Sequence, residues 1–307
     1  MIQNEAPVLF VTFNRPDTTK VVFDVIRQAK PKKLYLSSDG PRQNRYHDDF
    51  EKISACRKLI TDIDWDCEVK IRFSDVNQGC GPGVSSAIKW AFEDEDRLII
   101  LEDDCVPSLS FFSFCNELLE KYANDSHMMS ISGTRWHEDF PIENCDYFFT
   151  RYASIWGWAT WKRAWQLYDY YMSDYPEFKE KRILDIVQNE NAPLIKRWTF
   201  LFDNIYNLEK KHTWDYQWQY AMYRHNGLCI NATKNLVTNV GAEGMHTNDV
   251  DEFQNRERFE IDTANLQGPA FLYPEYNFDA YHGRKFFLKD RSDLKILFDH
   301  AASKFGF

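Results

Sequence analysis

Nowhere does this chain run for 18 apolar residues, so no segment is long enough to span a bilayer as a helix. It has no CxxC or CxxH spacing, and its seven cysteines are odd in number. That usage fits reduced thiols rather than a zinc site or a disulfide frame. Basic residues are the minority: 37 Lys and Arg against 47 Asp and Glu leave a net charge of −10, which argues against a general nucleic-acid binder. No GxxxxGK[ST] loop is present, which removes a P-loop nucleotide site. The Gly79-Cys80-Gly81-Pro82-Gly83 segment also fails as a dinucleotide fingerprint, because its third glycine would fall at Val84. There is no internal repeat, low-complexity stretch or clear linker. The N-terminus, Met-Ile-Gln-Asn-Glu, lacks the basic and apolar regions of a signal peptide, so the expected location is cytoplasmic.

What is present is a chain of 307 residues, enough for one large domain or a domain with an appendage. Its first half alternates strands and helices. Strands are expected at Pro7–Phe13, Lys33–Ser37, Glu68–Phe73, Leu98–Leu101 and Met128–Ser132. Between them, helical spacing runs through Thr18–Ala29, Asp48–Ile60, Val84–Phe92 and Ser110–Tyr122. This alternation predicts an α/β fold with a Rossmann-like, mostly parallel sheet flanked by helices. Beyond about residue 140 the pattern loosens, and residues 147–165 are dense in aromatics. Helices are expected at Trp161–Tyr171, Pro193–Glu209 and Tyr216–His225, and residues 228–240 read as short strands rejoining the sheet. The tail, Gly283–Phe307, mixes Lys and Arg with Phe, Leu and Ile. It reads as a helix packed on its own domain or as an amphipathic surface touching the inner face of a membrane.

Residues 97–106 carry the strongest local signal. The apolar run Leu98–Leu101 stops abruptly at Glu102, Asp103 and Asp104. Strand carboxyl ends are where open α/β sheets bind ligands. Three adjacent like charges repel unless a cation offsets them. Hard oxygen donors suit Mg²⁺ or Mn²⁺, ions that commonly share substrate phosphates. Taken alone, the triplet also reads as an acidic turn. Arg15 follows strand one and offers a planar fork to a diphosphate. Asp39 follows strand two and suits a base N–H. The glycine-rich loop Asn77–Gly83 precedes a helix start that can receive phosphate or sugar oxygens, and it reads equally as a plain connection. In a doubly wound sheet such ends converge on one crevice. Together they describe a nucleotide-diphosphate site built without a P-loop.

The segments Pro-Val-Leu-Phe-Val-Thr-Phe-Asn-Arg (7–15), the Asp39 turn and Ile-Leu-Glu-Asp-Asp-Cys-Val-Pro-Ser-Leu-Ser-Phe-Phe (100–112) resemble GT-A-fold glycosyltransferases. The nearest likeness is to the N-acetylglucosaminyltransferase I group and related bacterial nucleotide-diphospho-sugar transferases. Ile155-Trp-Gly-Trp-Ala159 is similar to that family's acceptor-side segment, and Trp214-Asp215-Tyr216 resembles the stretch with its catalytic acid. The resemblance implies a GT-A-like catalytic domain over residues 1–250. Its donor half is about 1–135 and its acceptor half about 136–250, with 251–307 as an unmatched extension. It implies Asp104 as the direct metal ligand, Asp103 on the ribose, and Glu102 at the donor sugar. Arg15 would hold the diphosphate and Asp39 the base, with Phe13, Asn77 and Gly79 completing the donor side. Asp215 would be the base that activates the acceptor, and His246 would approach metal and phosphates. Trp156, Trp158 and Trp214 fall on the acceptor side. Tyr216, not a second acid, follows Asp215, which is a departure from the family's pattern. Glu243 and Asp139 are the fallback bases.

The function implied is a metal-dependent, inverting transfer of a sugar from a nucleotide-diphosphate donor, a UDP-sugar for preference, to a glycan or other hydroxyl acceptor, as in surface glycan biosynthesis. Two rivals stand beside it. A sugar nucleotidyltransferase uses a similar sheet but usually has a Gly-rich loop after strand one, which Phe13-Asn14-Arg15-Pro16 is not. A non-catalytic carbohydrate-binding protein would use the 16% aromatic content for stacking alone.

Overall fold

The computed structural model describes residues 5–241 and 254–288. The first strands are β1 (Val8–Thr12), β2 (Lys33–Ser38) and β4 (Arg97–Glu102), built on apolar runs, and the edge strand β3 (Glu68–Phe73), whose charged and apolar residues alternate. Their intervening helices are α1 (Pro16–Ala29), α2 (Tyr46–Ile60) and α3 (Cys80–Ala91). Helix α1 shows why the local sequence folds so. Pro16 sits at its first turn, Asp17 adds a negative charge there, and Lys30 ends it in the left-handed conformation. Its Val22, Phe23 and Ile26 face inward and are buried. Each such side chain contributes roughly 1.5–3 kcal/mol of hydrophobic stabilisation.

After β4 come β5 (Cys105–Pro107), α4 (Leu109–Lys121), β6 (Met128–Ser132), β7 (Tyr147–Thr150) and β8 (Trp158–Trp161). The helices α5 (Lys162–Trp165), α6 (Tyr175–Glu180), α7 (Ile183–Val187), α8 (Ala192–Asn207) and α9 (Asp215–Arg224) follow. Strands β9 (Leu228–Ala232) and β10 (Val237–Asn239) and helix α10 (Tyr276–His282) complete the order. Eight strands form one sheet in the order β3-β2-β1-β4-β8-β6-β9-β7, of which β8 and β7 run against the rest. The mostly parallel, helix-flanked α/β sheet expected from the sequence is therefore what the chain forms.

Alternation along β4 divides the core. Ile99 and Leu101 join one apolar cluster, while Leu98 and Ile100 join another on the opposite side. A third cluster lies among α6, α7, α8 and α9, around Trp198, Phe202 and Tyr220.

Three expectations need correction. Helix α3 begins at Cys80, so Gly81–Gly83 are its first turn and not a loop. Trp161 ends the antiparallel strand β8, because Trp158–Trp161 pairs with β4 on one side while its first residues pair with β6 on the other. The helix after it lasts only four residues. Strand β10 pairs with β5 in a separate two-stranded ribbon rather than rejoining the sheet.

Residues 254–288 run back along this body. The backbone N–H groups of Asn255 and Phe259 donate to the Asn239 and Asn235 carbonyls, each at 2.8 Å. The Glu260 carboxylate accepts from the backbone N–H groups of Leu109 and Ser110, at 2.9 and 2.7 Å, where α4 starts. Among the described residues no helix is long and apolar enough to cross a membrane.

Candidate active site

Parallel strands place their carboxyl ends on one edge of the sheet. Arg15 lies just past β1, Asp39 just past β2, and Asp103 and Asp104 just past β4, which lies beside β1. Arg15 meets the acidic pair directly. Its Nη2 donates to Asp103 Oδ1, and its Nη1 donates to Asp104 Oδ2 at 2.9 Å. The Phe13 backbone N–H donates to the other oxygen of Asp103 at 3.0 Å. Asp103 is thus tied to the end of β1 from both oxygens.

The charges do not balance. Among the described residues, Glu102, Asp103 and Asp104 face a single guanidinium, that of Arg15. Burial, then the charges of Asp104 and Asp103, pushes the Glu102 carboxyl up to about 8, with Arg15 opposing and Asp215 adding to the rise. Asp103 is raised by burial, against the pull of Arg15. Burial works against the Arg15 charge, but the two aspartates more than offset it and hold the group firmly protonated.

Asp215 reaches this edge by a close approach of two segments. Gly81 in α3 lies so near the strand-like stretch before α9 that a Cβ there would sit 2.6 Å from the Thr213 carbonyl oxygen. The Gly81 N–H donates to the His212 carbonyl at 3.1 Å. The start of α9, where Asp215 is the first residue, is thereby held against the start of α3. The Cys80 thiol between them is raised by burial and then by the charges of Glu102, Asp215 and Asp104. Glu102, Asp104 and Asp215, each partly exposed, all lie near enough to Cys80 for their charges to act on its thiol.

The ribbon of β5 and β10 roofs the acids. The Val240 N–H donates to the Asp104 carbonyl at 2.8 Å, and Asn239 Oδ1 accepts from the Gly241 N–H at 2.9 Å. A Cβ at Gly241 would lie 2.5 Å from Asp104 Oδ2 and 3.1 Å from Arg15 Nη1, so only glycine fits over that pair.

Asp39 is engaged otherwise. Its carboxylate accepts from the backbone N–H groups of Gly40, Gln78 and Gly79 and from the Asn77 side chain, at 2.8–3.1 Å. Burial raises its pKa, and the backbone donors oppose the rise. Asn77 and Gly79 are thus brought to Asp39 itself. The N–H groups of Gly79 and Gly81 at the start of α3 are both taken, which corrects the reading of this helix start as an open receiver of phosphate oxygens.

The tryptophans divide. Trp158 and Trp214 are 0% and 2% exposed and stack on each other at 5.5 Å, with Trp165 and Trp218 around them. Burial this complete corrects their placement on an acceptor surface. Trp156 is only partly buried and lies on the other side of the sheet, against Trp136 at 4.7 Å. Gly157, at φ +66°, breaks the extended run, so the period of two does not carry across from 156 to 158. Asp139 accepts from the Tyr281 hydroxyl. His246 and Glu243 lie outside the described residues.

Sequence reasoning missed Gly81, Asn239 and Asp49. Asp49 in α2 accepts from Asn14 at 2.7 Å and binds Arg42, whose guanidinium lies 5.3 Å from the centre of the Phe13 ring. No local signal marks such a partner, because Asp49 looks like any acid in a helix's first turn.

Carboxylate oxygens with excess negative charge fit a hard divalent cation. Among the described residues, however, no three His, Cys, Asp or Glu side chains are already gathered round one point. No family model and no curated protein matches the chain. Among solved structures it is similar to a mannosyltransferase from Pyrobaculum calidifontis in complex with GDP-Man and Mn²⁺, at 14% identity and a TM-score of 0.36. That match covers 51% of this chain and 44% of the other, less than half its length. A UDP-glucose pyrophosphorylase complexed with UDP-glucose is similar at 10% identity and a TM-score of 0.32, over 53% and 79% of the two chains. HddC from Yersinia pseudotuberculosis follows at 12% and 0.30, over 52% and 78%. These are weak, partial likenesses.

Proposed function

We propose that the chain is a divalent-cation-dependent glycosyltransferase that moves a sugar from a nucleoside-diphosphate donor to a hydroxyl acceptor. The observation that supports this reading best is the pairing of Arg15 with Asp103 and Asp104 at the carboxyl edge of β4, next to Glu102 and close to the start of α9 that carries Asp215. Asp104 and Glu102 would hold Mn²⁺ or Mg²⁺, which supplies Lewis-acid neutralisation of a departing diphosphate. Arg15 offers the diphosphate a planar, charged fork. Asp215 accepts the proton of the attacking hydroxyl, which gives inversion in a single displacement. Half-buried Trp156 is the tryptophan left to stack on an acceptor sugar, and His246, outside the described residues, would approach the metal. A UDP-sugar is the favoured donor, and a glycan is the favoured acceptor.

A thermal-shift panel of nucleotides and nucleotide sugars, with and without Mn²⁺, tests the donor site, because ligand that binds only the folded state raises Tm. A Mn²⁺-dependent shift is expected, and its absence in a well-folded sample would remove the donor reading. Turnover then separates the rivals. Release of nucleoside diphosphate supports the transferase, release of pyrophosphate supports a nucleotidyltransferase, and donor binding without turnover across a wide acceptor panel supports a binding protein. Asp215→Asn is expected to keep the donor-induced shift and to lose transfer by about 10²–10⁴-fold. Wild-type turnover in that variant would remove Asp215 as the base.

A further inference from the structure

Arg15 touches two aspartates that are unequally committed. Asp103 is 4% exposed in its side chain, and its second oxygen is held by the Phe13 N–H at 3.0 Å. Asp104 is 17% exposed, and among the described residues its second oxygen meets the Cys105 thiol alone, at 3.4 Å. Arg15 itself is 30% exposed along its side chain, so its guanidinium has a way out towards solvent that Asp103 lacks. Release of Arg15 would free Oδ2 of Asp104, leaving its Oδ1 with the weak thiol donor and Asp103 anchored to β1.

We propose that Arg15 is a displaceable internal cation. It neutralises and orients the acidic pair when no divalent ion is bound, competes with that ion for Asp104, and is turned towards the diphosphate when it loses. The inference rests on the reading of this edge as a divalent-cation site for a nucleotide donor. The physical basis is that two cations drawn to the same Asp104 oxygen repel one another, so each weakens the other's hold on it. A guanidinium displaced from a carboxylate still seeks a planar pair of anionic oxygens, and a diphosphate supplies one. Gly241, packed against both Asp104 Oδ2 and Arg15 Nη1, leaves no room for a side chain at the point of exchange.

The test is Mn²⁺ binding by calorimetry on the full chain, with no nucleotide, in wild type, Arg15→Met, Arg15→Lys and Asp104→Asn, each checked for a cooperative melt. Arg15→Met is expected to bind Mn²⁺ about tenfold more tightly than wild type, because the competitor for Asp104 is gone. Arg15→Lys should fall between them, since an ammonium is a point charge without the two-pronged fit. A folded Arg15→Met protein that binds Mn²⁺ no more tightly than wild type overturns the proposal and leaves the metal site standing. If Arg15→Met does not fold, an unchanged affinity in Arg15→Lys overturns it equally. Binding that survives Asp104→Asn places the ion elsewhere and overturns it too. No Mn²⁺ binding in any of these proteins removes both this inference and the divalent-cation reading beneath it.

Discussion

Asp39 and Asp104 each follow the end of a parallel strand, two strands apart on the same sheet edge, yet the protein uses them in opposite ways. Asp39 is saturated by the 77–79 loop, with backbone N–H groups and an amide filling its lone pairs. Among the described residues Asp104 keeps one charged partner, the partly exposed Arg15, and a thiol. A carboxylate that accepts several fixed backbone donors is part of the framework. One paired with a partly exposed guanidinium is the one we propose for exchange. Position on the sheet edge selects both, and the donors supplied by the neighbouring loop decide which becomes which.

The largest effect should come from the exchangeable acid. Asp104→Ala is expected to lower sugar transfer by about 10³-fold, on the scale of losing a transition-state charge stabiliser. Tm should hold or rise, since a negative charge crowding Glu102 and Asp103 is gone. A steady-state assay beside a melting curve reads both. For Asp39→Ala the contrast should invert. Leaving the backbone donors of Gly40, Gln78 and Gly79 without their acceptor should cost about 2–3 kcal/mol of stability, read by urea denaturation. Donor affinity should then fall only as a consequence of a loosened loop. If instead Asp39→Ala melts like wild type and selectively loses nucleotide binding, the contrast between the two acids collapses.

A third carboxylate sharpens the comparison from inside the fold. Asp279 accepts from the Thr150 hydroxyl and the Arg151 N–H, and burial lifts its pKa to about 7 despite those donors. Because the folded pKa lies above the unfolded one, its stabilising contribution is full below the ordinary aspartate range and is lost as pH rises through about 7. Between pH 4 and 7 this group should erode stability by at most ~1.4 kcal/mol per pH unit. Asp279→Asn should remove that slope, so its stability relative to wild type improves steadily across the interval. Parallel pH profiles for the two proteins would contradict the assignment.

The gathering of residues on this sheet edge was legible because each polar residue follows an apolar run in the chain. Arg15, Asp39 and the 102–104 acids could be ordered on one edge from β-α alternation alone. What the acids do there was not legible. Apart from Gly40, Asp39's partners lie 38–40 residues away along the chain, and Arg15 meets residues 88 and 89 positions on. The tryptophan segment misled for a related reason. Trp156 and Trp158 alternate on paper, but one left-handed glycine between them sends the two rings to opposite sides of the sheet. Helix α3 started four residues early because Gly-Cys-Gly-Pro-Gly reads as a breaker, whereas proline is well tolerated in a helix's first turn.

By itself, then, the sequence determined the class of fold, the order of the first strands and the gathering of acids at one strand end, since hydrophobic periodicity and strand termination are local properties of the chain. Only the tertiary structure decided that Arg15 neutralises those acids, that Asp39 serves its own loop, and that Gly81 draws Asp215 to the same edge. Those outcomes depend on hydrogen-bond geometry and close packing between segments far apart in the chain, and charge and spacing along the chain do not encode them residue by residue.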